Sequence, residues 1–335
     1  MQASSPIITQ APHSPVDRDG RPALGAYRGY AERVSWHALA RDLRRGGLWR
    51  KLHTKTWHYA SIVNDACVLA LAIIDVGIAA SAFAYVFDRR AGRLLTNVSF
   101  TGLPGTARFT ERAGPGAASR FKGRGARFAI EHRAGNWHIE GQTRGGFELV
   151  ARLDPATAPA PLCAIASIAG GVANCTHKTV GLAASGSVAV GGVRFDLAGG
   201  TGALDHTHGL LARDTRWRWA SATRPGLSLN LVEDFNGPVE NVVWIGDELL
   251  PVGPVSFAYD PSATSRPWGI RSSNGVLDLE FTPIGERRED KNLLVAKSWY
   301  VQPIGTFRGV IRIPERPPLD VNDLVGVTED HVARW

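Results

Sequence analysis

Apolar and polar residues alternate over many short stretches of the chain from residue 49 onward. Residues 55–63, KTWHYASIV, are typical of these stretches, and the turn residues Asn64 and Asp65 follow them directly. Because successive side chains of a strand point to opposite faces of a sheet, alternation with a period of two predicts β-strands. Repeated short strands joined by turns that contain glycine, aspartate or proline predict an antiparallel meander that forms a barrel or a sandwich.

A proline-rich segment divides the predicted strands into two series. Residues 154–161 contain three prolines and interrupt the alternation, so they predict a boundary or a crossover. The strands predicted before this segment are residues 55–63, 67–75, 78–88, 94–101, 107–112, 119–122, 126–133, 136–142 and 147–153. The strands predicted after it are residues 177–182, 186–190, 193–197, 215–222, 227–235, 240–245, 248–252, 255–259, 268–272, 276–283 and 299–313.

The two series predict an all-β protein with two antiparallel β-barrel-like lobes and few short helices. We expect an extended N-terminal segment over residues 1–24 and a first lobe over residues 25–155. The second lobe is expected over residues 156–313, and a C-terminal tail over residues 314–335. The sequence contains no fixed-period repeat, so each lobe is expected to be irregular in its strand lengths.

Helical patterns are rare in the sequence. Residues 35–45, SWHALARDLRR, begin with the N-cap residue Ser35, place apolar residues at helical spacing and precede Gly46 and Gly47, which predicts a short helix. A second short helix is predicted over residues 321–325. The sequence shows neither alternating strands and helices nor a glycine-rich phosphate loop, so we expect no nucleotide-binding α/β fold and no cofactor.

The composition is typical of a globular protein with a large core. Of the 335 residues, 44% are hydrophobic and 21% are charged. The net charge of +7 is spread along the chain without a basic block, so we expect no nucleic-acid partner. Cys67, Cys163 and Cys175 show no C-x-x-C spacing, and we expect them to be reduced thiols in a reducing compartment.

The sequence predicts neither a secretory signal nor a membrane-spanning helix. The N-terminal residues lack a basic region followed by an apolar one. Residues 67–85 are long enough to cross a membrane, but Asp75 and Gly77 interrupt them, and two buried strands explain them better. We therefore expect a cytoplasmic protein. The sequence leaves open its oligomeric state and a transient contact with a membrane surface.

The densest group of reactive side chains lies in residues 204–222, LDHTHGLLARDTRWRWASA. Asp205, His206 and His208 are candidate catalytic residues, because a carboxylate beside a histidine fixes its tautomer and raises its basicity. The two histidines are two residues apart, so on a strand they share a face and could bind a metal ion. A third ligand would then have to come from His177, Glu233 or Asp234, and proton transfer without a metal is the preferred interpretation.

Aromatic residues flank this group and predict an apolar cavity. Trp217 and Trp219 share one face of a predicted strand, and the arginines between and before them share the other, so either face could line the cavity. Trp57 and Tyr59 share a face of an earlier strand. An aspartic acid in an aromatic pocket has a raised pKa and can act as a general acid.

A predicted hairpin contributes further candidates. Residues 230–236 and 240–244 form its strands, and Glu233 is the best second carboxylate. Asn230 and Trp244 are expected to contact the substrate, together with Trp57, Tyr59, Trp217 and Trp219. Glu240 is expected to face solvent or a neighbouring strand, and Lys178 either approaches an acid or occupies an exposed strand end.

The chain resembles the family called domain of unknown function 2804. The motifs WHYASIVND, LDHTHG, TRWRWASA, NLVEDFNGPVENVVW, PVSF and QPIGTFRGVI carry this resemblance over about residues 21–313. The family is distantly similar to the lipocalin-like superfamily of hydroxyneurosporene synthase (carotenoid 1,2-hydratase), kievitone hydratase and fungal decalin-forming cyclases. The resemblance implies two lipocalin-like barrels around a lipophilic cavity, and protonation of an alkene by an aspartic acid followed by capture of water.

Two functional hypotheses follow. The first is a cofactor-independent lyase or isomerase, a hydratase or cyclase, that acts on a hydrophobic isoprenoid- or polyketide-like substrate. Asp205 would donate the proton, and His206 or His208 would position the acid or the water. The second is a non-catalytic carrier of lipids or pigments, in which the polar group only orders the end of a strand or binds a headgroup. In both cases the partner is a hydrophobic small molecule.

Overall fold

The computed structural model describes residues 8–293 and 296–335, and β-strands form most of this part of the chain. The strands belong to two sheets that follow one another along the chain, which confirms the predicted all-β fold. The N-terminal sheet contains β1 (Thr9–Gln10), β2 (Gly25–Arg28), β3 (Thr54–Val63), β4 (Cys67–Asp75), β5 (Ala80–Asp88), β6 (Arg93–Gly102), β7 (Ala107–Phe109), β8 (Ala118–Gly123), β9 (Ala126–Arg133), β10 (Asn136–Thr143), β11 (Glu148–Asp154), β12 (Leu162–Ser167), β13 (Ala173–Val190), β14 (Val193–Asp196) and β15 (Thr201–Leu210).

The C-terminal sheet is built from the rest of the chain. Its strands are β16 (Asp214–Arg224), β17 (Leu227–Asp234), β18 (Val242–Ile245), β19 (Glu248–Pro251), β20 (Val255–Ala258), β21 (Trp268–Ser272), β22 (Leu277–Leu293), β23 (Ala296–Ile311) and β24 (Leu319–Arg334). A 3-10 helix, Gly237–Glu240, connects β17 to β18, and a helix α1, Gly47–His53, precedes β3. None of the helices in the described residues is long and apolar enough to span a membrane.

The N-terminal sheet is a nearly closed barrel. Eleven strands follow one another in the order β6-β5-β4-β3-β15-β13-β11-β10-β9-β8-β7, and β4 contacts β7, β8 and β9, so the two ends of the sheet approach each other. The inward face of the strands supplies a continuous apolar core, which includes Ile62, Leu71, Phe128, Trp137 and Leu153. Period-two alternation puts these side chains inside and their neighbours outside.

The C-terminal sheet is a half-barrel with its own core. Its nine strands follow the order β19-β18-β17-β16-β24-β23-β22-β21-β20. Leu229, Trp268, Phe281 and Phe307 are among the buried residues inside it. A separate apolar cluster joins the two sheets and includes Tyr85 and Phe87 from the first, and residues of β16, β17, β23 and β24 from the second. The sheets therefore pack against each other through a shared apolar layer.

The structure differs from the predicted lobes in two places. The proline-rich segment joins β11 to β12 within the N-terminal sheet, and the chain passes to the C-terminal sheet between Leu210 and Asp214. Residues 319–334 form β24, which lies between β16 and β23 in the middle of the C-terminal sheet. The helix predicted at residues 321–325 is therefore wrong. Two acidic residues of β24, Glu329 and Asp330, are buried against partners from other strands, so the polarity of this segment is no sign of a surface tail.

The helix predicted over residues 35–45 is also wrong. This segment forms turns, and Trp36 and Leu39 are buried in a small apolar cluster beside β12 and β13. Leu39 and Leu43 each donate to the carbonyl three residues before them, as in turns, while the N–H of Ala40 donates to the distant carbonyl of Gly20. Turn bonds and a tertiary contact therefore take the place of a continuous helical ladder. Of the predicted extended N-terminal segment, residues 1–7 lie outside the described residues, and β1 pairs with β2.

The contact between Gly285 and Phe87 tests how tightly the sheets pack. A Cβ atom added at Gly285 would lie 2.2 Å from Cε2 of Phe87, a ring that is fully buried between the sheets. We expect Gly285→Ala to lower the free energy of unfolding by about 1–3 kcal/mol, measured by urea denaturation. Gly46→Ala is the control, because an added Cβ there has no atom within 4 Å. Equal losses in the two variants would contradict this account of the interface.

Candidate active site

A cavity of about 210 Å³ lies between the two sheets. One wall comes from β3, β4, β5, β13 and β15 of the N-terminal sheet, and the other from β16, β17, β22, β23 and β24 of the C-terminal sheet. The cavity opens to solvent. Strands β3, β4, β15, β16 and β22 contribute residues two positions apart, because alternate side chains of a strand face the same side.

Aromatic side chains form much of the wall. The rings of Trp57 and Trp217 stack with their centroids 5.8 Å apart, although they belong to different sheets. Phe235 lies 5.2 Å and Trp335 6.3 Å from the ring of Trp217. These faces are electron-rich, so they can stabilise a positive charge that develops on a bound substrate.

The structure settles which strand face lines the cavity. Trp217 and Trp219 face it, while Arg216 and Arg218 are on the other side of β16. Tyr59 also lines the cavity and meets Trp219 edge to face, with centroids 5.8 Å apart. The four aromatic residues predicted from strand alternation at Trp57, Tyr59, Trp217 and Trp219 thus lie together.

An ion trio of Lys178, Asp205 and Glu240 forms the polar end of the cavity. The ammonium of Lys178 lies 2.7 Å from a carboxylate oxygen of Asp205 and 2.7 Å from one of Glu240. The lysine is only 4% exposed. Burial alone would lower the pKa of Lys178, but the negative charges of Asp205 and Glu240 outweigh it and raise the pKa above its usual value.

Hydroxyl groups hold Asp205 in place. Thr176 and Thr207 donate to its Oδ1 atom at 3.2 Å and 3.3 Å. Asp205 and Thr207 are on the same face of β15, and both line the cavity. With Lys178 on the other oxygen, the carboxylate of Asp205 is bound on both sides.

The expectation that Glu240 faces solvent or a neighbouring strand is wrong. Glu240 is 2% exposed and ends the 3-10 helix after β17, which directs its carboxylate at Lys178. The side-chain amides of Asn230 and Asn236 donate to its two oxygens. Asn230 also accepts a hydrogen bond of 2.9 Å from Nε1 of Trp219, so it supports the wall without lining the cavity.

Glu329 of β24 is a second acidic group in the cavity, and sequence reasoning missed it. The carboxyl is 7% exposed and accepts hydrogen bonds from Nε1 of Trp217 at 2.7 Å and Nε2 of Gln302 at 2.9 Å. Burial raises its pKa to about 7, against the lowering effect of these donors, and the negative charge of Asp205 adds to the rise. At neutral pH about half of the molecules therefore hold a proton here.

His331 lies two residues from Glu329 on the same face of β24. Its ring meets Trp217 edge to face at 4.4 Å, and its Nε2 atom is 2.9 Å from the hydroxyl of Ser298. The Nδ1 atom is 4.0 Å from Oε1 of Glu329. Burial, together with the positive charge of Arg287, lowers the pKa of His331 to about 3. The imidazole is therefore neutral at physiological pH.

The structure places the other predicted catalytic residues away from the cavity. His206 and His208 do share a face of β15, but it is the face opposite to that of Asp205. His206 packs edge to face against His58 at 5.2 Å, and Nδ1 of His208 bonds the carbonyl of Val34 at 3.1 Å. The structure thus brings only Asp205 of this group to the cavity.

Glu233 and Trp244 also lie elsewhere. A carboxylate oxygen of Glu233 is 2.9 Å from Nη1 of Arg218 and accepts a hydrogen bond of 3.1 Å from the backbone N–H of Phe257. Trp244 is buried in a separate apolar cluster, where Nε1 donates to the carbonyl of Ala160 at 2.9 Å. Neither residue is part of the cavity wall.

Comparison with known proteins gives a family and a fold. The model of the family described as domain of unknown function 2804 matches residues 7–335. No curated protein matches the chain in sequence. A provisionally assigned AttH protein from Nitrosomonas europaea has 12% identity and a TM-score of 0.56, with 88% of this chain and 96% of that chain covered.

Two further solved structures are similar over nearly their whole length. CghA has 11% identity and a TM-score of 0.51, with 99% of this chain and 96% of that chain covered. Kievitone hydratase from Nectria haematococca has 11% identity and a TM-score of 0.48, with 96% and 98% covered. At this level of identity, the similarity to the AttH protein and CghA shows a shared fold.

The charge balance of the ion trio can be tested by removing its members one at a time. Lys178→Met leaves two buried carboxylates without a counter-charge, and we expect a loss of about 3–5 kcal/mol in the free energy of unfolding. Asp205→Asn leaves the Lys178–Glu240 pair intact and should cost less than about 2 kcal/mol. Urea denaturation at pH 7 measures both. Equal losses would show that the pairing does not stabilise the fold.

The raised pKa of Glu329 predicts a specific pH dependence of stability. The folded protein favours the neutral form of Glu329. The contribution of this group to the stability of the fold is therefore fully present below the usual pKa of 4.5 and is lost as the pH rises through about 7. The free energy of unfolding of Glu329→Gln should therefore rise relative to that of the wild type by on the order of 3 kcal/mol from pH 4 to pH 8. Urea denaturation across this range measures it.

Glu140→Gln, on an exposed position of β10, is the matched control, and its difference from the wild type should change far less with pH. If the Glu329→Gln and wild-type curves stay parallel, Glu329 does not titrate near neutrality.

Proposed function

The chain belongs to the family called domain of unknown function 2804, and we propose that it is a cofactor-independent lyase or isomerase, a hydratase or cyclase. It protonates a carbon–carbon double bond of a hydrophobic isoprenoid- or polyketide-like substrate in the cavity between the sheets. The observation that carries this proposal is Glu329, a buried carboxyl with a pKa of about 7 within an aromatic wall. A general acid works best when its pKa is close to the working pH.

Glu329 is the proton donor. Its proton passes to one carbon of the alkene, the π electrons form the new C–H bond, and the other carbon becomes a cation. Trp217 holds the acid through its Nε1 atom and presents its ring to the same space, beside Trp57. Aromatic faces stabilise a carbocation that water would otherwise have to solvate.

Asp205 acts as the general base. Its carboxylate is paired with the ammonium of Lys178 at 2.7 Å, and a paired carboxylate suits acceptance of a proton better than donation. In a hydration, a water oxygen bonds to the cation and its proton passes to Asp205. In an isomerisation or cyclisation, Asp205 removes a proton from a neighbouring carbon. Exchange with solvent then returns the proton to Glu329 and completes the cycle.

A prenylated phenol, 2-(3-methylbut-2-enyl)phenol, incubated in deuterated water tests this assignment. We expect a product that carries one solvent deuteron on carbon, identified by mass spectrometry and NMR. Glu329→Gln should lower the rate more than about 100-fold, because the amide has no proton to transfer. In the wild type, the rate should fall as the pH rises above about 7, since Glu329 then loses its proton.

Glu140→Gln, on the exposed face of β10, is the control and should keep wild-type turnover. Full turnover by a folded Glu329→Gln variant would overturn the assignment of the acid. Saturable binding of the phenol without any deuterium incorporation would favour a carrier over an enzyme.

A further inference from the structure

Three side chains with soft ligand atoms meet on the side of the N-terminal sheet that faces away from the cavity. Cys163 of β12 lies directly opposite His177 of β13 in the antiparallel pair. Cys175 is two residues before His177, so it shares the same face of β13. One ligand atom from each residue lies within 4.8 Å of the other two.

The cluster is closed to solvent and incompletely bonded. Cys163 and Cys175 have no exposed surface, and His177 is 1% exposed. Nε2 of His177 accepts a hydrogen bond of 3.1 Å from the backbone N–H of Ala31, which fixes the position of the ring. Its Nδ1 atom is buried and has no hydrogen-bond partner among the described residues. Because Nε2 is the acceptor, the proton of the neutral ring is on Nδ1, and Nδ1 must release it before it can bind a cation.

A second buried imidazole without hydrogen-bond partners borders the cluster. His206 lies opposite His177 on β15, and the two ring centroids are 6.2 Å apart. Both ring nitrogens of His206 are buried and have no partner within residues 8–293 and 296–335. The two thiols and Nδ1 of His177 therefore lie in a closed space beside a second buried imidazole.

We propose that Cys163, Cys175 and His177 bind one thiophilic cation with a filled d shell, Zn(II) or Cu(I). Thiolate sulfur and imidazole nitrogen are the ligands that these two ions prefer. Ligand atoms around one such ion lie within about 4 Å of each other, so the side chains need to move inward by less than about 1 Å. Binding forms two metal–sulfur bonds and one metal–nitrogen bond. The two thiol protons leave to solvent, and the imidazole proton moves from Nδ1 to Nε2, which then no longer accepts the hydrogen bond from Ala31.

The position of the site gives it a structural role. Along β13, Cys175 and His177 alternate with Thr176 and Lys178, which lie on the opposite face of the strand, where Lys178 lines the cavity. A cation held by β12 and β13 would fix the strand that carries Lys178, directly behind the ion trio. Because the cluster has no open path to the cavity face, it anchors the candidate active site and takes no part in the reaction.

The full-length protein, purified under reducing conditions, tests the proposal by equilibrium dialysis against Zn(II) and, in a separate anaerobic arm, against Cu(I). We expect about one ion per chain in at least one arm, measured by inductively coupled plasma mass spectrometry. Cys163→Ser and His177→Ala should each reduce retention to below about a tenth of the wild-type value. Cys67→Ser is the matched control, since it removes a buried thiol of the same sheet outside the cluster.

A measurement on the wild type guards against variants that fail to fold. Loading should produce an ultraviolet thiolate-to-metal charge-transfer band and raise the melting temperature. Absence of a retained ion in both arms would overturn the proposal. So would retention that is unchanged in Cys163→Ser and His177→Ala, or a Cys163–Cys175 disulfide whose reduction restores no binding. Loss of the ion does not remove Glu329, so this outcome is separate from the test of the proposed reaction.

Discussion

The charge balance around Lys178 is the interaction on which the rest of the site depends. Lys178 and Asp205 come from neighbouring strands of the N-terminal sheet, and Glu240 comes from the 3-10 helix after β17 of the C-terminal sheet. The trio therefore ties the two sheets together across the cavity. A buried ammonium is tolerated because two carboxylates compensate its charge, and each carboxylate is in turn bonded by hydroxyl or amide donors.

The same charges divide two carboxyl groups into different roles. Asp205 has a cation at 2.7 Å, whereas Glu329 has no ion pair in the described residues except a contact of 4.0 Å with the neutral His331. Its surroundings are the indole of Trp217 and the amide of Gln302. Burial then favours the neutral acid, and the charge of Asp205 favours it further. One acid and one base thus arise from environment alone.

Strand alternation gives β13 and β15 two separate chemistries. One face of these strands carries Thr176, Lys178 and Asp205 to the cavity, and the other carries the thiols and imidazoles of a closed cluster. A shift of one residue in the pairing register would exchange the two sets. The strict register between β13 and β15 around His177 and His206 therefore decides which residues meet the substrate and which stay behind the sheet.

The sequence by itself determined most of the strands, their antiparallel pairing and which side chains share a strand face, such as Trp217 with Trp219 and the two histidines of β15, because alternation is a local property of the backbone. It did not determine the point where the second sheet begins, the strand β24, or the acid that strand supplies. Glu329 is 112 residues from Trp217, its hydrogen-bond donor. Read locally, buried acids such as Glu240 and Glu329 look like surface residues. Only the tertiary structure supplies the distant lysine, indole and amide groups that pair with a buried acid or raise its pKa.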